Sequence, residues 1–345
     1  MSKQLVYDFP KVSAEEWMDV VRKDLKSTNY DQLKWIIDDD ILLEPIVTDV
    51  EKLDLNINKE WECQSNLCIN GKTPNKTILE ALNNGIGALA FKAFESIEEY
   101  KVILENVNQL FISWQIKLSN TAEYEVIKSY FAKETDITFQ FTTIPDSELV
   151  KDILNNFNQS KFSLDTNFES NKYSDNIVRM MDSTHQFIQK MNEAGIEPNL
   201  LLDKIVFETK LGKEYLIEIG YFRALHLVWK NYTTMFGKTS SAAKIVVGYD
   251  KSNLTEDTNY NLIRLTTFTM SAILGSSYKI YCNNFDENIN ENIEATRLSN
   301  NIQMILNMES YFNYVTDPTA GSYFIDAVTQ KLTKKSWEKL TNLLG

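Results

Sequence analysis

Residues 204–230 read KIVFETKLGKEYLIEIGYFRALHLVWK, and this stretch decides the fold. KIVFET, from Lys204, is an apolar, β-branched run of the kind that forms a strand buried on both faces. The residues from Lys213 to Lys230 follow it as a helix. A buried strand running straight into a helix is the unit of a parallel, helix-covered sheet. The same rhythm recurs along the chain. GALAFK from Gly87, LFISWQIK from Leu110, ITFQFT from Ile137 and KFSLDT from Lys161 precede it, and KIVVGYD from Lys244 and YKIYCN from Tyr278 follow. Helices are expected between them, at Ser147 to Phe157 and Ile177 to Met191. In the latter, Ile177, Met180, Met181, Phe187, Ile188 and Met191 make one apolar face, and Gly195 followed by Pro198 ends it. Seven such units over roughly 250 residues indicate an α/β fold, a (β/α)8 TIM-type barrel with some shortened crossovers, more than an open doubly wound sheet. The eighth unit is expected near Tyr314 to Val328, where the pattern is weakest.

The first sixty residues differ. Ser13 and Glu16 form a capping box, and Val12 and Trp17 are spaced for its hydrophobic staple. Trp17, Val20, Val21 and Leu25 make a narrow apolar stripe, so this helix is expected to dock on a surface. After Asn29, DQLKWIIDDDILLEPIVTDVEKLDL has no clear period. The expected organisation is an N-terminal helix and extended arm over 1–60 and one barrel over 61–345, with no further C-terminal domain.

Composition removes several functions. The chain has 345 residues, and 35 basic against 48 acidic side chains give a net charge of -13. No Lys/Arg-rich run offers a nucleic acid the basic face it normally requires. No stretch approaches the ~18 consecutive apolar residues of a membrane-spanning helix. The start, MSKQLVYDFPK, lacks a signal-peptide core. Three cysteines, Cys63, Cys68 and Cys282, cannot all pair with one another, which fits a reducing, cytoplasmic setting.

Few residues are placed for chemistry. His185 lies at the edge of an apolar helical face and His226 lies mid-helix in FRALHLVW. Both read as residues near the core boundary, without a partner at metal-ligand spacing. Cys63 and Cys68 have no second pair downstream. Gly85 and Gly87 in NNGIGALAF suit a helix C-cap and strand entry, the reverse of a dinucleotide fingerprint. Asp38, Asp39 and Asp40 read as a solvated turn. In a barrel, chemistry sits at the C-terminal strand ends. Here those ends supply Thr142, Asp165, Thr209, Tyr249, Asp250, Asn283 and Asn284. Asp165 and Asp250 could form an acid/base pair, but no cation or histidine accompanies them.

Four ordered stretches carry a resemblance. YLIEIGYFRALHLVW (215–229), YCNNFDE (281–287), NNIQMILNMES (300–310) and DPTAGSYFIDAVTQKL (317–332) resemble the barrel of the adenosylcobalamin-dependent methylmalonyl-CoA mutases and related acyl-CoA mutases. That family shows EIAKFRALRLLW-like, HTNSYDE-like, RNTQ…ES and DPxGGSYYVExLT motifs in this order. FPKVSAEEWMDVVRKDLKSTNYDQLKW (9–35) is similar to the family's opening, while residues 95 to 170 match loosely.

The departures are as informative. Catalytic members carry a substrate-binding histidine in an HNDFFEEI-like stretch, where this chain has Gly212. An RQYAGFG-like stretch with a pocket-lining tyrosine corresponds to WECQSNL, near Glu62 to Cys68. Tyr249 and Asp250 stand for the histidine and threonine of an HTQTAG-like strand end, and Asn300 replaces the arginine of RNTQ. The Asp-x-His-x-x-Gly motif of the cobalamin-binding domain is missing. The resemblance therefore implies a small, non-catalytic mutase subunit with no catalytic, cofactor-binding or metal residues of its own. It implies a heterodimer with a large catalytic subunit that holds adenosylcobalamin and interconverts methylmalonyl-CoA and succinyl-CoA. The arm is the expected contact, because Trp17, Trp35, Ile41, Leu42 and Leu43 need a surface to cover; the other reading packs the arm on its own barrel. Two further functions stay open: a catalytic acyl-CoA mutase barrel served by a separate cobalamin-binding protein, and a barrel repurposed for binding or assembly.

Overall fold

The computed structural model describes residues 10, 12–26, 29–38, 40–51, 53, 55, 60–65, 69–164, 172–238, 242–282, 285 and 293–345. At the start the capping box is made in full around α1 (Ala14–Leu25). The Ser13 hydroxyl accepts the Glu16 N–H at 3.1 Å, and the Glu16 carboxylate accepts the Ser13 N–H at 2.8 Å. None of the residues of α1 is fully buried: in the apolar stripe that was expected to dock, Trp17, Val21 and Leu25 are half-buried and Val20 is exposed. The arm continues into a short antiparallel pair, β1 (Trp35–Ile36) and β2 (Leu42–Leu43).

Eight alternating units follow. Their strands are β3 (Glu62–Gln64), β4 (Ala88–Lys92), β5 (Ser113–Leu118), β6 (Asp136–Phe141), β7 (Lys161–Leu164), β8 (Ile205–Leu211), β9 (Lys244–Tyr249) and β10 (Lys279–Tyr281). The helices between them are α2 (Asn75–Asn83), α3 (Ile97–Ile103), α4 (Thr121–Tyr130), α5 (Ser147–Asn156), α6 (Tyr173–Glu193), α7 (Pro198–Leu202), α8 (Tyr215–Thr234) and α9 (Thr258–Leu274). Two more, α10 (Ile293–Met308) and α11 (Tyr323–Leu344), complete the ring. All the barrel strands pair in parallel and close in the order β10-β3-β4-β5-β6-β7-β8-β9, the expected (β/α)8 barrel. Gly195, with φ +84°, ends α6, a conformation that suits glycine better than any residue with a Cβ.

The eighth strand is not where the sequence pattern placed it. Residues 323–344 form α11, and β3, three residues long, closes the barrel between β10 and β4. A strand of three residues is too short to show a period, and its two lumen-facing positions are the polar Glu62 and Gln64.

The arm is partly its own barrel's cover. Ile37, Ile41 and Leu43 are buried in the core, whereas Trp35, Ile36 and Leu42 stay exposed. Asp38, expected in a solvated turn, is buried: its carboxylate accepts the backbone N–H groups of Tyr173 and Ser174, each at 3.0 Å. It thereby satisfies orphan donors at the start of α6, whose own N-cap residue, Lys172, makes no side-chain cap. Asp39 lies outside the described residues. Asp40 pairs with Lys335 of α11, Gln330 of α11 donates to the Glu51 carbonyl at 2.7 Å, and Trp35 meets Phe324 edge-on at 5.4 Å.

Candidate functional site: barrel lumen and mouth

Alternation along the strands sorts side chains between lumen and helices. Phe139 packs on Tyr124 and Phe157, Phe162 on Phe187, and Phe207 on Trp229, so these positions face outward. Their neighbours Gln140, Ser163 and Glu208 then face inward. Two hydrogen bonds cross the lumen: Gln115 Nε2 of β5 and Gln140 Nε2 of β6 both donate to Glu208 Oε2 of β8, at 2.9 and 2.7 Å. On the far wall, Gly248 of β9 faces Tyr281 of β10. A Cβ at Gly248 would lie 2.0–2.3 Å from the tyrosine's outer ring atoms, so the Tyr281 ring occupies the lumen side of that glycine. The axis is thus filled by the chain's own side chains.

The floor is ionic. Four neighbouring strands begin with lysine or follow one: Lys161, Lys204, Lys244 and Lys279. Lys279 Nζ lies 3.1 Å from Glu62 Oε2, and Lys161 pairs with Asp136. Both ammonium groups lie over the Tyr278 ring, at 5.2 and 5.9 Å. Lys204 donates to the carbonyls of Asn158 and Ser160 at 3.2 and 3.1 Å. Burial pushes Lys204, Lys244 and Lys279 below the usual lysine range, because a desolvated ammonium is disfavoured.

At the mouth, the strand-end residues separate. Thr209 points to α8, where its hydroxyl meets that of Tyr221 at 3.1 Å. Tyr249 packs edge-on against Phe268 of α9 at 5.0 Å. Asp250 caps a short turn, accepting the Ser252 N–H at 3.0 Å, and Thr142 is exposed in the bend after β6. Asp165, Asn283 and Asn284 lie outside the described residues, so the acid/base pair expected from Asp165 and Asp250 has one described member. Cys68 lies outside them too. Cys63 and Cys282 are buried thiols, raised by that burial to about 11 and about 12. Among the described residues, no group of three or more His, Cys, Asp or Glu is placed to hold a metal.

Between β8, β9, α8 and α9 opens a cavity of about 270 Å³. Its buried charged wall is Glu218, which accepts the Glu214 N–H at 3.3 Å and hydrogen bonds from the Gly212 backbone and the buried Ser271 side chain. Burial raises its carboxyl to about 7, against those backbone donors. A Cβ at Gly212 would stand 3.0 Å from Glu218 Oε1, so the carboxyl fills the space beside that glycine. Arg264 of α9 lines the same cavity. Its Nη1 donates to the Asn253 carbonyl at 3.1 Å, and its guanidinium lies 4.9 Å from the Tyr260 ring.

The two histidines are committed elsewhere. His226 Nε2 donates to the Ser276 carbonyl at 3.1 Å, and burial, outweighing that bond, lowers the ring to about 4 and so favours its neutral form. His185 Nδ1 meets the Tyr232 hydroxyl at 3.1 Å. Neither stands in an Asp-x-His-x-x-Gly stretch.

Sequence reading missed a cluster that joins two of its own motifs. Arg223 of α8 is 1 % exposed, and its Nη1 donates to both Asp317 carboxylate oxygens at 2.7 and 2.8 Å and to the Thr319 hydroxyl at 2.9 Å. Its Nη2 reaches Asp326 at 3.2 Å. The FRALHLVW helix and the DPTAGSYFID stretch are therefore one structural unit. Gln303, of the NNIQ stretch, donates to the Gln64 carbonyl of β3 at 3.3 Å. Glu218 and Arg264 were also missed; the signal was an acid within the apolar run YLIEIGYF and a cation within NLIRLTTF.

Residues 174–343 match the methylmalonyl-CoA mutase family. The chain is similar to the methylmalonyl-CoA mutase small subunit of Porphyromonas gingivalis, 22 % identical over 97 % of this chain and 63 % of that protein. The methylmalonyl-CoA mutase of Rhizobium meliloti is 24 % identical over 64 % of this chain and 32 % of its own length. The Porphyromonas gingivalis large subunit is 26 % identical over 44 % of this chain and 22 % of its own. The chain thus spans less than two thirds of the small-subunit relative and about a third of the Rhizobium protein. No helix among the described residues is long and apolar enough to cross a membrane.

Proposed function

We propose that this chain, whose residues 174–343 match the methylmalonyl-CoA mutase family, acts as a non-catalytic small subunit, stabilising a large subunit that interconverts methylmalonyl-CoA and succinyl-CoA. The observation that carries this reading is the filled lumen. Glu208 is held across the axis by Gln115 and Gln140, and Tyr281 covers Gly248, where an extended thioester would need open space. The mouth supports it, since Glu218 packs beside Gly212 where catalytic relatives carry the carbonyl-binding histidine. Adenosylcobalamin, which supplies radical chemistry when bound, belongs in this reading to the large subunit. The contact surface is α1 together with the exposed Trp35, Ile36 and Leu42: an amphipathic, N-capped helix with no fully buried residue is what a partner-covered element looks like in the separate chain.

The test is co-expression with a large-subunit homologue from the same genome. The two chains should co-purify, Trp17→Glu with Trp35→Glu should weaken the complex, and the chain alone should show no methylmalonyl-CoA turnover when supplied with adenosylcobalamin. Turnover by the isolated chain, or failure of the two chains to associate, refutes the proposal.

A further inference from the structure

We propose that the mouth cavity between β8, β9, α8 and α9 is a binding site for a small organic monocarboxylate, held by the Arg264 guanidinium and the Glu218 carboxyl. The inference does not rest on the subunit reading. The cavity lies on the helix side of the strands: Tyr249 and Glu218 line it, whereas Glu208 and its glutamine partners fill the lumen on the other side of β8.

Arg264 is the first reason. Its contacts are the Asn253 carbonyl, the Tyr249 hydroxyl and the Tyr260 ring, none of them anionic. Among the described residues it has no carboxylate within ion-pair distance, in a chain carrying 48 acidic side chains. Its Nε is buried without a hydrogen-bond partner. A guanidinium offers five N–H donors and suits a carboxylate better than any other side chain does. Among the described residues, Arg264 is thus a half-buried cation whose charge no carboxylate answers.

Glu218 is the second. Its own helix brings Glu214 and Tyr221 near it, the preceding loop brings Lys213, α6 brings Tyr173, β9 brings Tyr249, and α9 brings Arg264 and Tyr260. Lys213 and Glu214 are exposed and opposite in sign, so the rim is balanced. Burial dominates and favours the protonated carboxyl, which can donate to an anion. One guanidinium with one neutral acid balances a single negative charge.

Phe268 and Tyr249 supply an apolar wall for the ligand's hydrocarbon part. At about 270 Å³ the space falls below the ~300–1,000 Å³ of drug-sized pockets, which selects an acid of a few carbons and excludes a coenzyme A ester.

The experiment is calorimetric titration of the full chain with sodium propionate against a sodium chloride blank, at pH values of about 6 and 8. Saturable binding is expected, weaker by about tenfold at the higher pH because the proton on Glu218 is needed. Glu218→Gln, which keeps a neutral donor, should bind at both pH values with less than about a twofold difference. Arg264→Gln should lose binding by at least about tenfold, and a circular dichroism melt of the ligand-free variant checks its fold. Thr267→Trp blocks the cavity from an exposed position on α9 without touching either charge, and should abolish binding. No saturation by about 20 mM propionate, binding retained in Arg264→Gln or Thr267→Trp, or an unchanged pH dependence in Glu218→Gln would each overturn the proposal.

Discussion

Replacing Arg223 with methionine tests whether the buried cluster between α8 and the residues before α11 holds the C-terminal third of the ring in place. The substitution keeps an unbranched side chain in the helix and removes the guanidinium. It deletes three hydrogen bonds from Nη1, to Asp317 and Thr319, and the contact of Nη2 with Asp326. The two acids respond differently. Asp317, with a side chain 20 % exposed, can recover hydration, whereas Asp326, at 9 %, is left as an uncompensated buried charge. Removing one member of a buried pair costs about 3–5 kcal/mol, and the partial exposure of Asp317 places this case near the lower end. Equilibrium urea unfolding, followed in parallel by far-ultraviolet circular dichroism and tryptophan fluorescence, reads the change. For a slope of about 3 kcal/mol/M the midpoint should fall by about 1 M. Adding Asp326→Asn to Arg223→Met should restore part of the loss, because the stranded charge is then gone. A single variant within about 1 kcal/mol of the parent, or a double variant no better than the single, would refute the account of this cluster.

Gly248→Ala should destabilise by about 1–3 kcal/mol, since its methyl group meets the Tyr281 ring, and thermal melts of Gly248→Ala with Tyr281→Ala should show less than additive loss. Gly220→Ala should cost a similar amount, because its Cβ would fall 2.4 Å from Val328 Cγ1, where α8 and α11 pack closely. Glu218 and His226 oppose one another in pH dependence. Glu218 is raised from 4.5 to about 7, so its contribution to stability is lost as pH rises between those values. His226 is lowered from 6.5 to about 4, so stability is lost as pH falls through that window. Near pH 5.5 the native chain holds the proton on Glu218 and the unfolded chain holds it on His226, so the two slopes offset. Denaturant titrations across this range should therefore show stability of Glu218→Gln rising with pH and of His226→Gln falling, each by up to about 3 kcal/mol. Parallel profiles for the two variants would contradict this.

What the sequence revealed follows the range of the interactions involved. The capping box of α1 and the glycine that ends α6 are local and were legible. Seven strands were legible because each is a run of apolar residues next to a periodic helix. β3 was not, because three residues show no period, its contact with β4 is a single residue pair, and its other partner, β10, lies more than two hundred residues away. The strand-end residues were chosen by position along the strand, while direction decides function. Thr209 and Tyr249 face the helices, and Glu208, one residue from Thr209, faces the axis. Asp38 read as solvated because nothing nearby in sequence asks for a cap; the donors it satisfies lie 135 and 136 residues downstream. Arg223 and Asp317, separated by 94 residues, were read as two motifs and are one contact.

The arm's attachment also sets an order of events during synthesis. Asp38 of the arm caps the start of α6, and Lys335 of α11 is made 295 residues after its partner Asp40. At a synthesis rate of about 5–20 residues per second, that interval is roughly 15–60 s. Through it the arm waits for α11, and β3 waits similarly for β10 before the cylinder can close. The arm, made before the barrel, is thus among the later segments to reach its final environment.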